Sequence, residues 1–520
     1  NAYLGDEDQG QMSAWYLMNA IGLFQTDGGT SVEPQYEIGS PLFEKISIDL
    51  GGRYNRGESF TIQANNTSRT NIYVQSATLN GKPLHDFKFP ASEVLKGGSL
   101  ILEMGPEPNK EWGKSDLKKQ IQSDERLKVV KEKAEELVKS GFTAGDGYAE
   151  VWIRDYNTFI SLASSLHDPE QTKENLRVFF RLQGKDGNIV DGFVPKQKAE
   201  KSKVSYEYIY SDLENNYAGH KNTVETDQES SLIQAVYKYV QATDDHAFLD
   251  ESIAGITVKE RLGKALDFLM KHRFNKKYGL LWGATTADWG DVQPEHPWGV
   301  VLDENSHLAI DIYDNAMFLV ALDNYLEMGP AHEQKWQKVR SDVAKHTMEN
   351  LWDEPREKFK THIYLNKSPF AKTFDEDAIF YHGGTAIAME ANLLSKEQAR
   401  VSFDKMIDNV QKSGAPSVGL TLYPPYPAGS FQNKGMAPYD YQNGGDWTWF
   451  GGRIIKQMIK MGFYQEAYEQ LSPMLDRVLA NDGFYEYYSL KNKPSGSSSF
   501  RGSAGVLHDV ILLLQEYAAH

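Results

Sequence analysis

The chain has 520 residues, a formal net charge of −17 and no cysteine. The length fits more than one domain, and the acidic balance opposes nucleic acid or an anionic membrane surface as the main partner while leaving a neutral polar ligand open. Without thiols, disulfides, thiolate metal sites and cysteine nucleophiles are excluded, and no apolar run is long enough to span a bilayer.

The first residue is Asn1, and the opening stretch "DQGQMSAWYLMNAIGLF" reads as a helix already under way. A start of this kind is expected from processing or truncation, with any signal peptide out of view. Up to Gly113 the chain then reads as short strands. "QYEIGSP", "EKISIDL", "SFTIQANN", "NIYVQSATLNGKPL" and "SLILEMG" are rich in β-branched and aromatic residues and punctuated by Gly, Asn and Pro. "LNGK" is a hairpin turn. Residues 1–113 are therefore expected to form a small β-sandwich-like module with one opening helix. "GPEPNKEWGKSD" reads as a linker, with Ser115 as a helix N-cap.

Residues 114–520 have a helical pattern. Apolar spacing and caps predict twelve helices, near 115–140, 155–167, 169–183, 226–242, 247–272, 308–328, 332–352, 377–392, 395–413, 446–461, 464–479 and 502–519. Every second connection is very short: "HDPE", "TDD", "MGP", "LLSK" and "MGF". The alternate ones are long, at roughly 141–154, 184–225, 273–307, 353–376, 414–445 and 480–501. Short links join antiparallel neighbours. Six successive hairpins place all the long loops at one end, so the expected fold is mainly α, an (α/α)6 barrel behind the β-module.

The long loops also hold aromatic and acidic residues. "GDGYAEVWIRDY", "GLLWGATTADWGDVQPE", "LYPPYPAGSFQNKGMAPYDYQNGGDW" and "NDGFYEYYSLKNKPSGSSSFRGS" each belong to one of them. Ring faces beside carboxylates, Asn and Arg suit a carbohydrate, whose C–H faces pack on aromatics while its hydroxyls meet polar groups. Breaking a glycosidic bond takes two carboxyl groups with opposite duties, one protonated and one ionised. Asp291 and Asp288, beside Trp289, are candidates for the protonated role, because desolvation favours the neutral acid. Glu486, flanked by Tyr485, Tyr487 and Tyr488, is the candidate for the ionised one. Each motif also has a plainer reading. Asp288 or Asp291 alone reads as a turn former. Arg154 and Asp155 read equally as a buried pair at a helix start. "NGGDWTW" reads as a glycine turn before a capped helix, "ETDQES" as an acidic first turn, and Asp314 as a satisfied buried acid. No P-loop, dinucleotide fingerprint, HExxH or GxSxG is present.

From about Trp112 onward the chain resembles the six-hairpin (α/α)6-barrel glycosidases: glucoamylases, trehalases, processing α-glucosidases and debranching α-glucosidases. "GYAEVWIRDYNTF" resembles the sugar-contact motif of glucoamylase-like enzymes, implying Trp152, Arg154 and Asp155 as substrate contacts. "ADWGD" resembles the segment with the acid Asp in debranching enzymes and cellobiose-type phosphorylases, which implies Asp291 as general acid with Asp288 in reserve. "YEYY…SGSSSFRGSAG" resembles the tail of processing glucosidases and trehalases, implying Glu486 as general base. Trp282, Trp289, Asn443 and Trp447 (the last two from "NGGDW"), Tyr487 and Arg501 complete the expected substrate-binding set. The first hundred or so residues, with "GDEDQGQMSAWY", "IGSPLFEKISIDL" and "KGGSLILEMGPEPN", resemble the C-terminal end of the calcium-dependent exo-α-mannosidases of glycoside hydrolase family 92. That resemblance implies Asp6 and Asp8 as a remnant of the mannosidase water-activating site, calcium as a family property only, and secretion or a periplasmic location.

The expected activity is hydrolysis of an oligosaccharide, exo-acting and inverting, with no cofactor required by the barrel. Alternatives are an inverting phosphorylase on the same barrel, a non-catalytic carbohydrate-binding protein, and a fusion in which the mannosidase remnant is silent. The sugar, anomer, linkage, oligomeric state and metal content are left open.

Overall fold

The computed structural model describes residues 10–519 other than 27, 29, 31–33, 55, 111, 114–116 and 202–206. Asp6, Asp8 and Ser115 lie outside the described residues. The chain divides into two compact units, Asn1–Ser123 and Asp124–Ala518.

In the first unit, the opening helix Gln11–Ile21 stops at Gly22, whose φ of 79° is costly for any other residue and whose N–H caps the carbonyls of Asn19 and Met18. Eight strands follow: β1 (Leu23–Phe24), β2 (Gln35–Ile38), β3 (Lys45–Asp49), β4 (Ser59–Asn65), β5 (Tyr73–Leu79), β6 (Lys82–Leu84), β7 (Lys88–Pro90) and β8 (Gly98–Gly105). They pair into one sheet of order β3-β4-β8-β5-β6 and another of order β1-β2-β7. Asn80 and Gly81, with φ of 50° and 78°, make the tight turn between β5 and β6. Alternate residues Phe60, Ile62 and Ala64 of β4 and Leu100, Leu102 and Met104 of β8 point inward, and they share one core with Leu23 and Phe89 of the smaller sheet.

The second unit contains twelve helices of nine residues or more among its described residues. They are α1 (Glu125–Lys139), α2 (Ile153–Leu166), α3 (Pro169–Leu182), α4 (Gln228–Thr243), α5 (Val258–His272), α6 (Ile312–Glu327), α7 (Glu333–Leu351), α8 (His382–Glu390), α9 (Lys396–Ser413), α10 (Thr448–Lys460), α11 (Tyr464–Asn481) and α12 (Arg501–Ala519). Most differences from the expected boundaries come from caps. The predicted helix at 115–140 is split, because Asp124 turns its carboxylate onto the Arg126 N–H and starts α1 afresh after the short helix Leu117–Ser123. The predicted helix at 247–272 shrinks to α5, where Thr257 and Glu260 form a capping box after a small hairpin of Ser252–Ile253 with Ile256–Thr257. Asp311 delays α6 by capping the Asp314 N–H.

The even-numbered helices form an inner ring. α4 packs on α2 and α6, and α8 packs on α6 and α10. Glycines close the ring: Gly452 of α10 lies against Val506 of α12, and a Cβ on Gly505 of α12 would stand 2.5 Å from the Phe159 Cβ of α2. The odd-numbered helices lie outside, with α1 on α2 and α11, α3 on α2 and α4, and α5, α7, α9 and α11 each on the inner helix before it. This double ring is consistent with the expected (α/α)6 barrel. Inner helices are covered on nearly every side; in α6 every residue from Ile312 to Leu322 is buried. Because short links carry inner helices to outer ones, the long connections all arrive at the inner helix N-termini, where the cavity described next is found.

Candidate active site

A cavity of about 200 Å³ opens among these long connections. The first contributes Tyr148 and leads into Trp152, Arg154 and Asp155 at the start of α2. The second contributes Asp191, the third Trp289, Asp291 and Val300, the fifth Tyr441, Gln442 and Trp447, and the sixth Glu486 and Phe500. Trp449, in the first turn of α10, adds a further wall.

The aromatic floor is built around Trp289, which is 1% exposed. It stacks on Phe450 with ring centres 4.5 Å apart and meets Trp447 and Trp449 edge-on at 4.8 and 5.4 Å. Asp291, two residues on, is held at the cavity wall by Gln442: the amide Nε2 donates to its Oδ1 at 2.9 Å, and its backbone N–H reaches the Gln442 Oε1 at 3.3 Å.

Glu486 sits in the sixth connection just before Tyr487–Tyr488, which pairs with Pro494–Ser495. That small hairpin delivers the Ser497 N–H to the Glu486 Oε2 at 3.0 Å, and the Tyr148 hydroxyl donates to Oε1 at 2.9 Å. Burial raises the Glu486 pKa above the usual range; the two donors oppose that shift, and the charge of Asp291 adds to it. The Tyr148 phenol is itself pushed far up by burial and by Glu486, so it stays a neutral donor.

A second group surrounds Arg154. Its guanidinium pairs with Asp227, Nε to Oδ2 at 2.7 Å, and with Glu225. Asp227 also accepts the Tyr313 hydroxyl at 2.8 Å. Asp155 is pushed up to about 8 by burial, against the pull of Arg154 and with the charges of Glu486 and Asp191 adding to the rise. Asp191 is pushed up to about 7, again by burial, with Arg154 opposing. Beside them, the His220 ring meets Trp152 edge-on at 4.4 Å, and burial lowers its pKa to about 4, so it is neutral at ordinary pH. The pocket therefore presents ionised and protonatable carboxyls, aromatic faces and a cation that is already paired.

Of the residues expected from the sequence, Trp152, Arg154, Asp155, Trp289, Asp291, Trp447 and Glu486 line the cavity. Tyr487 lies one layer behind, stacked on Trp447 at 5.5 Å. Four others are not among the lining residues. Asp288 is buried at the N-terminus of α8, where its two carboxylate oxygens accept the Gly383 and Gly384 N–H groups at 2.7 and 2.8 Å. Trp282 packs under the guanidinium of Arg273, 4.7 Å from its ring centre. Asn443 holds the fifth connection together through Tyr426 and the Met436 carbonyl. Arg501 ties the start of α12 to Thr143 and Ser140.

Sequence reasoning missed Tyr148, Asp191, Glu225, Asp227, Tyr441, Gln442 and Trp449. The tract "ETDQES" reads locally as a helix start favoured by the dipole, and Trp449 reads as core. Asp191 follows "GNIV" and precedes Gly, a pattern shared with ordinary turns.

Fold and cavity together are those of a double-ring helical barrel with an acidic, aromatic-lined pocket at one end. Residues 127–490 match the model of the glycosyl hydrolase 94 superfamily catalytic domain, and the chain belongs to that superfamily. Residues 1–106 match the catalytic domain of glycosyl hydrolase family 92. An uncharacterized secreted glycosidase of Arthroderma benhamiae is 32% identical over 111 residues, which are 21% of this chain and 13% of that protein. A family 92 inverting mannosidase of Bacteroides thetaiotaomicron is 37% identical over 21% of this chain and 14% of its own, with a TM-score of 0.19. The chain thus spans about an eighth of the curated relative. The family 63 mannosylglycerate hydrolase of Thermus thermophilus, solved with glucose, is 15% identical, covers 74% of this chain and 99% of its own, and superposes with a TM-score of 0.52, a likeness of fold. No helix among the described residues is long and apolar enough to cross a membrane.

Proposed function

We propose that the barrel unit is an exo-acting, inverting glycoside hydrolase of short oligosaccharides. Asp291 protonates the leaving oxygen and Glu486 activates the water. The observation that carries this reading is the pair itself: two carboxyls from connections almost two hundred residues apart line one small cavity, each fixed by its own donors. Water oxygen attacks the anomeric carbon as the bond to the leaving oxygen breaks. Glu486 takes a proton from the water and Asp291 gives one to the leaving group, and exchange with solvent restores both. A base must be ionised to act, and a raised pKa makes Glu486 a stronger base once it is. Trp152 and Trp447 offer faces for the ring, and Asp155, Asp191 and Arg154 are placed for its hydroxyls. The cavity is enclosed on several sides and small, which favours entry of a terminal sugar over a chain interior.

The phosphorylase alternative is disfavoured by charge. Among the described lining residues Arg154 is the one cation, and it is already paired with Asp227 and Glu225. A phosphate dianion would enter a pocket lined by four carboxyl groups, Asp155, Asp191, Asp291 and Glu486, with no free positive partner among the lining residues. We further propose that the family 92-like first unit is catalytically silent and that the protein is secreted or periplasmic. For calcium, implied by family 92 alone, Asp6 and Asp8 are outside the described residues, and no group of three or more His, Asp or Glu among those described is arranged to hold a metal.

The test is a screen of α-glucosides and α-mannosides with and without phosphate, using native protein, D291N and E486Q. The reading expects phosphate-independent release of a sugar of inverted anomeric configuration and loss of at least about 100-fold in kcat for each variant. Native turnover retained in both variants would sink it, and strict phosphate dependence would replace it with the phosphorylase.

A further inference from the structure

The third connection does not end at Asp291. It runs outward through Pro297, Trp298 and Gly299 and returns to the cavity at Val300, which lines it. The returning limb is pinned: Thr223 donates its N–H to the Val300 carbonyl at 2.8 Å, and its hydroxyl accepts the Leu302 N–H at 2.7 Å. The base of the loop is pinned too, by Gln293, which bonds the Val301 carbonyl and the Ser306 hydroxyl. Gly299, with φ of 101°, lets the chain reverse next to the tip. On that tip Trp298 is 83% exposed, whereas the tryptophans that line the cavity, Trp152, Trp289, Trp447 and Trp449, are buried or half-buried. An indole held on a tethered loop beside a pocket offers a flat face on which the C–H side of a sugar ring can pack. Two residues of chain span at most about 7 Å, so Trp298 stands at the rim that Val300 forms.

The rim has a direction. A proton donor touches the glycosidic oxygen, so the part of the substrate that departs lies on the donor's side. Asp291 begins the very loop that carries Trp298, while Glu486 approaches from the sixth connection. With room inside for a terminal sugar, the leaving unit must lie outside, over this loop. We propose that Trp298 is the platform for the leaving unit: a sugar ring, or an aglycone with an apolar face, stacks on its indole and is the part of the substrate that selects a disaccharide or longer chain over a simple glycoside. This rests on the hydrolase reading and on Asp291 as donor. Trp298 is a specificity residue and touches no reacting atom.

Native protein, W298A and W298F are compared on α-linked disaccharides of glucose and of mannose and on the matching glycosyl fluorides, which have no leaving sugar. W298A is expected to raise the disaccharide KM about five- to ten-fold, with kcat and both constants for the fluoride moving less than about two-fold, and W298F to recover most of the loss. Equal losses on both substrates, or no change on either, overturn the inference. Failure of the hydrolase reading looks different: native protein cleaves none of the four. Calorimetry with the same disaccharides and with free glucose and mannose then decides on Trp298 alone. A native preference for the disaccharide that disappears in W298A upholds the platform, and the same affinities in both proteins remove it.

Discussion

Gly496 stands against Glu486: a Cβ built on Gly496 would come within 2.7 Å of the Glu486 Cβ and closer still to its carboxylate Oε2. The φ of 72° at Gly496 disfavours any side chain independently of that collision. The glycine of "PSGSSS" is thus the residue that lets the tail hairpin close over the proposed base and bring the Ser497 N–H to it. G496A is expected to displace the carboxylate and lower kcat by at least about ten-fold, with a stability loss of about 1–3 kcal/mol. Steady-state kinetics and thermal melting read the two effects. Native kcat in a folded G496A would show that the position of Glu486 is not critical.

Tyr148 provides the other restraint on Glu486, across 338 positions of sequence. Its hydroxyl bond favours the ionised carboxylate and so counters the upward push of burial. In Y148F that counterweight is gone and the Glu486 pKa rises further. A base acts only when ionised, so the acidic limb of the pH profile of kcat/KM is expected to move to higher pH, while the alkaline limb stays in place. An acidic limb at the native position in Y148F would mean that Glu486 is not the group whose ionisation sets it.

How much of this is legible in the sequence differs between local and distant relationships. The alternation of short and long connections is a local property, and it places the connections at the inner helix N-termini without any coordinates. The N-terminal motifs "GDEDQGQMSAWY" and "KGGSLILEMGPEPN" point to family 92, and "ADWGD" points to the barrel class that residues 127–490 match. What the sequence hides are partnerships made across the barrel. Nothing near Arg154 announces Asp227, and nothing near Asp291 announces Gln442, 151 positions away. Local rules also misplace helix starts where a cap intervenes, as at Asp124 and Asp311. Within "ADWGD" the two acids look interchangeable, since spacing cannot say which faces the cavity. The left-handed φ of 56° at Asp288 turns the chain there, with that carboxylate on the α8 N-terminus and Asp291 at the cavity.

Asp191 gives a prediction about pH and stability. Its folded pKa is about 7, raised mainly by burial from an ordinary value near 3.8. A raised carboxylate binds its proton more tightly folded than unfolded. Its contribution is therefore present in full below the unfolded value and is lost as pH rises through the folded one. Asp155, at about 8, acts in the same direction. For these two groups the folded state weakens as pH rises from about 4 through about 8. D191N keeps a neutral side chain at every pH and is expected to flatten part of that fall. Melting temperatures of native protein and D191N, compared across this window, check it; parallel curves would show that Asp191 titrates alike in both states. The same substitution leaves Asp155 in place, so a residual slope is expected across the window, up to about pH 8.

The two acids of "ADWGD" are separable by what their loss does. Asp288 is buried, and burial holds its pKa well above the ordinary range. Its oxygens accept the two glycine N–H groups that open α8, and Cβ atoms on Gly383 and Gly384 would collide with Trp289 and with Asp288 itself. Asp288 therefore joins the third connection to an inner helix and supports the Trp289 floor. D288A leaves two N–H groups at a helix start without their acceptor and opens space beside Trp289, for an expected loss of about 2–4 kcal/mol. Asp291 is partly exposed at the cavity wall, and D291N, which keeps the shape, is expected to change stability by less than about 1 kcal/mol. Denaturant melts and kcat on the best substrate of the screen give the comparison: D288A unfolds early, and D291N melts like native protein but turns over poorly. A reversed pattern, with D291N unstable and D288A stable but inactive, would move the proton donor from Asp291 to Asp288.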